Sequence, residues 1–190
     1  AFSVMFLYLI IVLLIEEWRG KAKSLNDAII IYSSAFIGAL TFAFTDSHWF
    51  NAVEAEVYAM STFFTSLVVW LILKWSQNEG QQGNVRYILF IAYMVGLSCG
   101  VHLLPLLTLP FIGLIIYYKK FPFKISTFLV TAGITLITYI FIYQGIIKGI
   151  PVIAKTYGVA FPLFLILFVI AMMIFYISTR NYSMATFITC

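Results

Sequence analysis

The chain has 190 residues, 63% of them hydrophobic and 9% charged, with 11 Lys and Arg against 7 Asp and Glu and a formal net charge of +4. Soluble domains run at about 45–50% apolar and about 25% charged residues, so this composition excludes an ordinary soluble globule, a disordered tail and a secreted disulfide framework. The basic residues stand in short clusters between apolar runs, the pattern that membrane topology produces, and no nucleic-acid partner is expected.

In chain order, the first apolar run covers residues 1–15 and stops at Glu16-Glu17-Trp18-Arg19. A second covers 28–44, and a third, 57–73, ends at Lys74-Trp75. Ser76 to Arg86 is polar, holds Gly80 and Gly83, and reads as a loop. The run 87–118 is too long for one span; Gly100, His102 and Pro105 divide it into a tight hairpin of helices at 87–103 and 105–118, with Pro105 and Pro110 bending the return helix. After the basic segment Lys119 to Lys124 come spans at 125–144 and 158–177. At about 1.5 Å per residue, each run crosses most of a hydrocarbon core of about 30 Å. The expected fold is therefore an all-α polytopic membrane protein with about seven transmembrane helices. Cys99, inside an apolar run, reads as a small packing residue. No basic leader precedes Ala1, and both ends fall inside apolar patterns, so the chain is expected to be an internal piece of a longer one, missing N- and C-terminal parts.

Charge orients the spans. With the loop 16–27 placed on the cytoplasmic side, that side holds Arg19, Lys21, Lys23, Lys74, Arg86, Lys119, Lys120, Lys124 and Arg180, and the outer side only Lys148 and Lys155. The same assignment gathers Asp46, His48, Glu54, Glu56 and His102 at the outer level. Ionisable groups at membrane depth are costly and point to function by default. The plainer use of Glu54 and Glu56 is at a helix N-terminus, where the dipole favours anions by about 0.3–1 kcal/mol, with Trp49 and Tyr58 as interface-belt residues. If 52–56 is extended, Glu54 and Glu56 point the same way and can share a cation such as Mg²⁺ or Mn²⁺. If it is helical, they diverge by about 200° and Glu54 faces Tyr58. Gly96 and Gly100 form G-x-x-x-G, a spacing that suits close helix packing. Lys148 and Lys155 flank Pro151 in an outer loop, where they can meet a lipid phosphate.

Asp46-Ser47-His48-Trp49-Phe50-Asn51-Ala52-Val53-Glu54-Ala55-Glu56-Val57-Tyr58-Ala59-Met60, followed by Gly96-Leu97-Ser98-Cys99-Gly100-Val101-His102-Leu103-Leu104, resembles the DUF2723 / TMEM260-like membrane proteins, relatives of protein O-mannosyltransferases with the GT-C fold. The resemblance is densest over residues 36–118. It implies transfer of a mannose-like sugar from a polyprenyl-phosphate donor to a Ser or Thr hydroxyl of a protein acceptor. The active face would be the periplasmic side of a bacterial inner membrane or the lumenal side of the ER membrane. It also implies that the loop 45–56 is the family's second outer connection, expected to be partly helical and to lie along the interface. Glu54 and Glu56 match that loop's acidic pair and His102 the family's His after Gly; Asp46, and further His48 and Tyr58, complete the expected donor- or metal-binding set. The carboxylate that acts as catalytic base belongs to a first outer loop, expected upstream of residue 1. A transporter or channel subunit using the same acidic and His cluster, or a non-catalytic assembly subunit, is the rival reading; against the transporter, the apolar runs carry no charge at their midpoints.

Overall fold

The computed structural model describes residues 1–53, 57–78, 80 and 84–179. It is helical throughout the described residues, which form two compact units divided after Lys124.

The first unit contains α1 (Phe2–Arg19), α2 (Leu25–Ala43), α3 (Asp46–Val53), α4 (Tyr58–Gln77), α5 (Val85–Cys99), a 3-10 turn (Leu104–Leu107) and α6 (Thr108–Lys120). α1 ends at Gly20, whose φ of 87° favours glycine. Ser24 then caps α2: its Oγ accepts from the Asp27 backbone N–H at 3.1 Å and donates to the Asp27 carboxylate at 2.8 Å. α2 buries Ile31, Ala35 and Ala39, spaced by four and therefore on one face, against α1. Val12, Ile31 and Ala35 form one core cluster there, with Tyr8, Ile11 and Ile15 around it. Small side chains let the two backbones approach, and a Cβ added at Gly38 would stand 3.2 Å from Ile11 Cδ1.

α4 is the hub of this unit. It packs on α1, α3, α5, the 3-10 turn and α6, and it buries Phe64, Leu67, Val68, Leu71, Ile72, Leu73 and Trp75. Its outgoing end meets the outgoing ends of α1 and α6: Gln77 Nε2 donates to the Leu13 carbonyl at 3.5 Å, Ile10, Leu13 and Leu73 pack with Ile115, and Lys120 Nζ lies 5.9 Å from the Trp75 ring. Arg19, Lys74, Lys119 and Lys120 thus fall in the last turns of helices that finish together, where cations also favour the helix dipoles. Residues 16–27 and 75–78 therefore lie at one end of the unit, as the charge pattern requires. Tyr117 closes α6. It is 1% exposed, and its hydroxyl donates to the Lys124 carbonyl at 3.0 Å while accepting from the Lys124 N–H at 3.0 Å.

The second unit runs through α7 (Ile125–Ile140), a π-helical stretch (Phe141–Lys148), α8 (Gly149–Tyr157) and α9 (Ala160–Thr179). Two expectations are corrected here and in α5. Residues 145–157 are not a loop, because Ile125–Tyr157 is a continuous helical run of 33 residues. The wider π turn carries the chain past Gly145, and Pro151 follows it inside the same helical run. The break comes at Gly158, with φ 81°. The G-x-x-x-G spacing in α5 does not mark a close approach either. Among the described residues, no atom beyond the helix's own nearby backbone lies within 4 Å of a Cβ built at Gly96, and at Gly100 the nearest is the Leu97 carbonyl oxygen at 3.4 Å. The small-residue contact is the one on α2. Gly96→Ala is accordingly expected to raise the stability of α5 by about 0.5–1 kcal/mol, the helix-propensity difference. Thermal unfolding in lipid nanodiscs measures it, and a drop in stability would reveal a neighbour against that face.

All seven apolar runs are helical. Among the described residues, three stretches, Leu25–Ala43, Tyr58–Gln77 and Ile125–Tyr157, are long and apolar enough to cross a membrane by themselves, and Val85–Cys99 and Ala160–Met172 are shorter apolar helices. α5 reaches about 22 Å, short of a core of about 30 Å, so the hairpin with α6 has its turn at membrane depth if its other end lies at the interface.

Candidate functional site at the histidine end

Opposite the basic end, the unit brings together the start of α1, α3, the start of α4 and the turn after α5. α3 begins one residue after Thr45, whose carbonyl accepts from the Trp49 N–H at 3.1 Å and whose Oγ1 accepts from the His48 N–H at 3.4 Å. The segment Asp46–Val53 is thus helical, as expected of this connection. Asp46 lies in its first turn and is exposed. His48 is half-buried, with its ring 4.8 Å from that of Phe42. A cavity of about 540 Å³ opens beside it between α1, α3 and α4. His48, Asn51, Ser3 and Thr62 supply its polar groups, and Phe2, Met60 and Phe63 its apolar wall.

His102 occupies the turn between α5 and the 3-10 segment. Its backbone N–H donates to the Ser98 carbonyl at 2.9 Å, which completes the end of α5. Its Nδ1 accepts from the Leu104 N–H at 3.1 Å, and its ring stands 5.5 Å from that of Tyr58. The turn is held from below by fully buried Pro105 and Leu106, and by Thr108 Oγ1 donating to the Pro105 carbonyl at 2.6 Å. A second cavity, about 380 Å³, lies between α4 and this return segment, lined by Ser61, Thr62, Thr65, Leu104, Leu107, Thr108 and Phe111.

The two histidines therefore share an end of the unit but not a wall. At about 100° per residue, Tyr58, Ser61 and Thr65 lie on one side of α4 and Ala59, Met60 and Phe63 on nearly the opposite one, about 170° around. His102 joins the Tyr58 side and His48 the other, with Thr62 lining both cavities. Glu54 and Glu56, the expected donor- or metal-binding pair, lie outside the described residues, immediately before Val57 and Tyr58. Among the described residues, no three His, Cys, Asp or Glu side chains are grouped as metal ligands. The hydroxyls Ser61, Thr62 and Thr65 were not among the residues expected from sequence. Their spacing along the first turns of α4 was the available signal.

Long apolar helices whose basic residues cluster at one end of the unit are those of an integral membrane protein. The chain belongs to the family described as the protein O-mannosyl-transferase TMEM260 N-terminal domain, whose family model matches residues 1–125. The matched segment ends one residue past Lys124, the last residue of the first compact unit. No curated protein and no solved structure matches the chain.

Proposed function

We propose that this chain is part of a GT-C-type membrane glycosyltransferase with seven spans in this segment, which moves a mannose-like sugar from a polyprenyl-phosphate donor to a Ser or Thr hydroxyl of a protein acceptor. The observation that carries the reading is the cavity beside His48 at the same end as the His102–Tyr58 pair, in a chain of the O-mannosyl-transferase family. The nine-to-two basic bias read from sequence supports that end as the outer or lumenal face, in a bacterial inner membrane or the ER. A lipid-linked donor presents its anomeric carbon at just that depth.

The reaction breaks the bond between the anomeric carbon and the phosphate oxygen and forms one to the acceptor oxygen. The acceptor proton passes to a carboxylate base, placed by family resemblance in the outer loop that precedes residue 1. The departing phosphate gathers negative charge, which hydrogen-bond donors fixed at its position stabilise. The His102 imidazole and the Tyr58 hydroxyl are the described groups suited to that task, and Asp46, His48 and Asn51 suit the binding of sugar hydroxyls. Mg²⁺ or Mn²⁺, if bound, would draw on Glu54 and Glu56 and would neutralise phosphate charge; the described residues alone do not form a metal site. The test is transfer of radiolabelled mannose from polyprenyl-phosphate mannose to an acceptor peptide by the full-length protein in proteoliposomes, with and without chelator. Lipid-donor-dependent labelling of the peptide is expected. Ion flux through the same proteoliposomes without any transfer would favour a transporter and overturn the proposal.

A further inference from the structure

The continuous helical run Ile125–Tyr157 has 33 residues, about 50 Å, yet it continues past one turn into α9, which is apolar from Ala160 onward with Phe161 49% and Leu163 54% exposed. Both α7 and the start of α9 need lipid around them. A straight rod of that length confined to a core of about 30 Å would have to tilt by about 53°, beyond the observed range of about 0–40°. Residues 125–144 already suffice to cross.

The chemistry of the remainder marks its depth. From Ile125 to Tyr157 the only ionisable charges are Lys148 and Lys155, both cationic. Tyr139 and Tyr143 stack with ring centroids 6.1 Å apart and planes 2° from parallel, and Lys148 Nζ lies 4.5 Å from the Tyr143 centroid. That last contact depends on the π turn. Five residues on in an α-helix, Lys148 would be rotated by about 140° away from Tyr143, whereas the wider turn of the π-helix reduces that rotation and lets the long side chain reach the ring. Tyr with Lys folded over it is the pairing that sits at the boundary between acyl chains and headgroups. A second aromatic, Tyr157, packs on Phe161 with centroids 5.6 Å apart at the other end of α8. Between these two boundary markers α8 divides by face. Ile150, Ile153 and Ala154 are half-buried, while Pro151, Val152, Lys155 and Thr156 are exposed.

We infer that α8, Gly149–Tyr157, lies in the headgroup layer of the bilayer rather than crossing it or standing off in water, with Lys148 and Lys155 engaging lipid phosphates. The π-helical stretch sets this arrangement by turning Lys148 onto Tyr143.

The experiment uses the full-length protein in vesicles of phosphatidylcholine with or without phosphatidylglycerol, in a Cys99→Ala, Cys190→Ala background. Single cysteines at 146, 150, 152, 154 and 156 carry nitroxides, and depth is read from collisions with oxygen and with a water-soluble nickel complex. All five positions are expected within a few Å of the headgroup depth, with an impermeant maleimide reacting at 152 and 156 and at least fivefold more slowly at 150 and 154. Depth that changes steadily along the five positions, toward the bilayer centre or toward bulk water, would overturn the inference. Lys148→Gln with Lys155→Gln replaces two exposed side chains and keeps the native cysteines; it is expected to abolish the phosphatidylglycerol-dependent protection of 149–157 in hydrogen exchange. Protection unchanged by lipid charge in the wild type would also sink the idea.

Discussion

In the full-length protein, Glu54→Gln or Glu56→Gln lowers mannosyl transfer at least tenfold while leaving the thermal unfolding transition in place. A tenfold loss corresponds to about 1.4 kcal/mol of lost transition-state stabilisation. The expectation rests on chemistry and position. These are two of the chain's 7 acidic residues, and they directly precede Tyr58, whose ring meets His102. Gln keeps the shape and removes the charge, so a carboxylate that serves only as a helix-dipole partner would lose no more than about 0.3–1 kcal/mol of stability and no activity. Steady-state transfer and unfolding measured on the same preparations separate the two. Full activity in both variants would reduce the pair to helix caps.

The largest stability effect is expected at Tyr117. Truncation to Ala removes a 1% exposed ring that packs on Tyr118 and Phe121, leaving a cavity worth about 3–5 kcal/mol. Tyr117→Phe keeps the ring but removes the hydroxyl's two bonds to the Lys124 backbone, at a cost of about 0.5–1.5 kcal/mol per bond. Unfolding of both variants in nanodiscs gives the ring and hydroxyl contributions by difference. A Tyr117→Phe variant as stable as the wild type would show that the hydroxyl bonds to residues 122–124 carry nothing.

Much of this architecture is legible in the sequence because lipid imposes simple demands. Apolar runs ended by Glu16, Lys74 and Lys119 become helices, and those charges are found at one end of the first unit. The connection after Thr45 reads as partly helical, from bulky residues without Gly or Pro, and Asp46–Val53 is helical. What the sequence hides is pairwise. Gly96 and Gly100 have the spacing of a packing face, but spacing does not say whether a helix stands opposite; Ala35 and Ala39 have the same spacing and do have a partner. Gly145, Gly149 and Pro151 look like loop punctuation, yet they stand in or just after a π turn inside a continuous helix. The meeting of Tyr58 with His102 joins residues far apart in the chain, and it depends on how the α5 hairpin packs on α4, which no local pattern encodes.

The bond from the Leu104 N–H to His102 Nδ1 fixes a proton inventory. A ring nitrogen that accepts from a backbone amide carries no hydrogen, so the neutral imidazole is confined to the tautomer with its hydrogen on Nε2. Such a ring offers its far edge as a donor only. Relieving an acceptor alcohol of its proton would require Nε2 bare, and taking up a second proton at Nδ1 would expel the Leu104 amide and loosen the turn before Pro105. In a sugar transfer at this face, His102 is thereby suited to hold an oxyanion and unsuited to serve as the base.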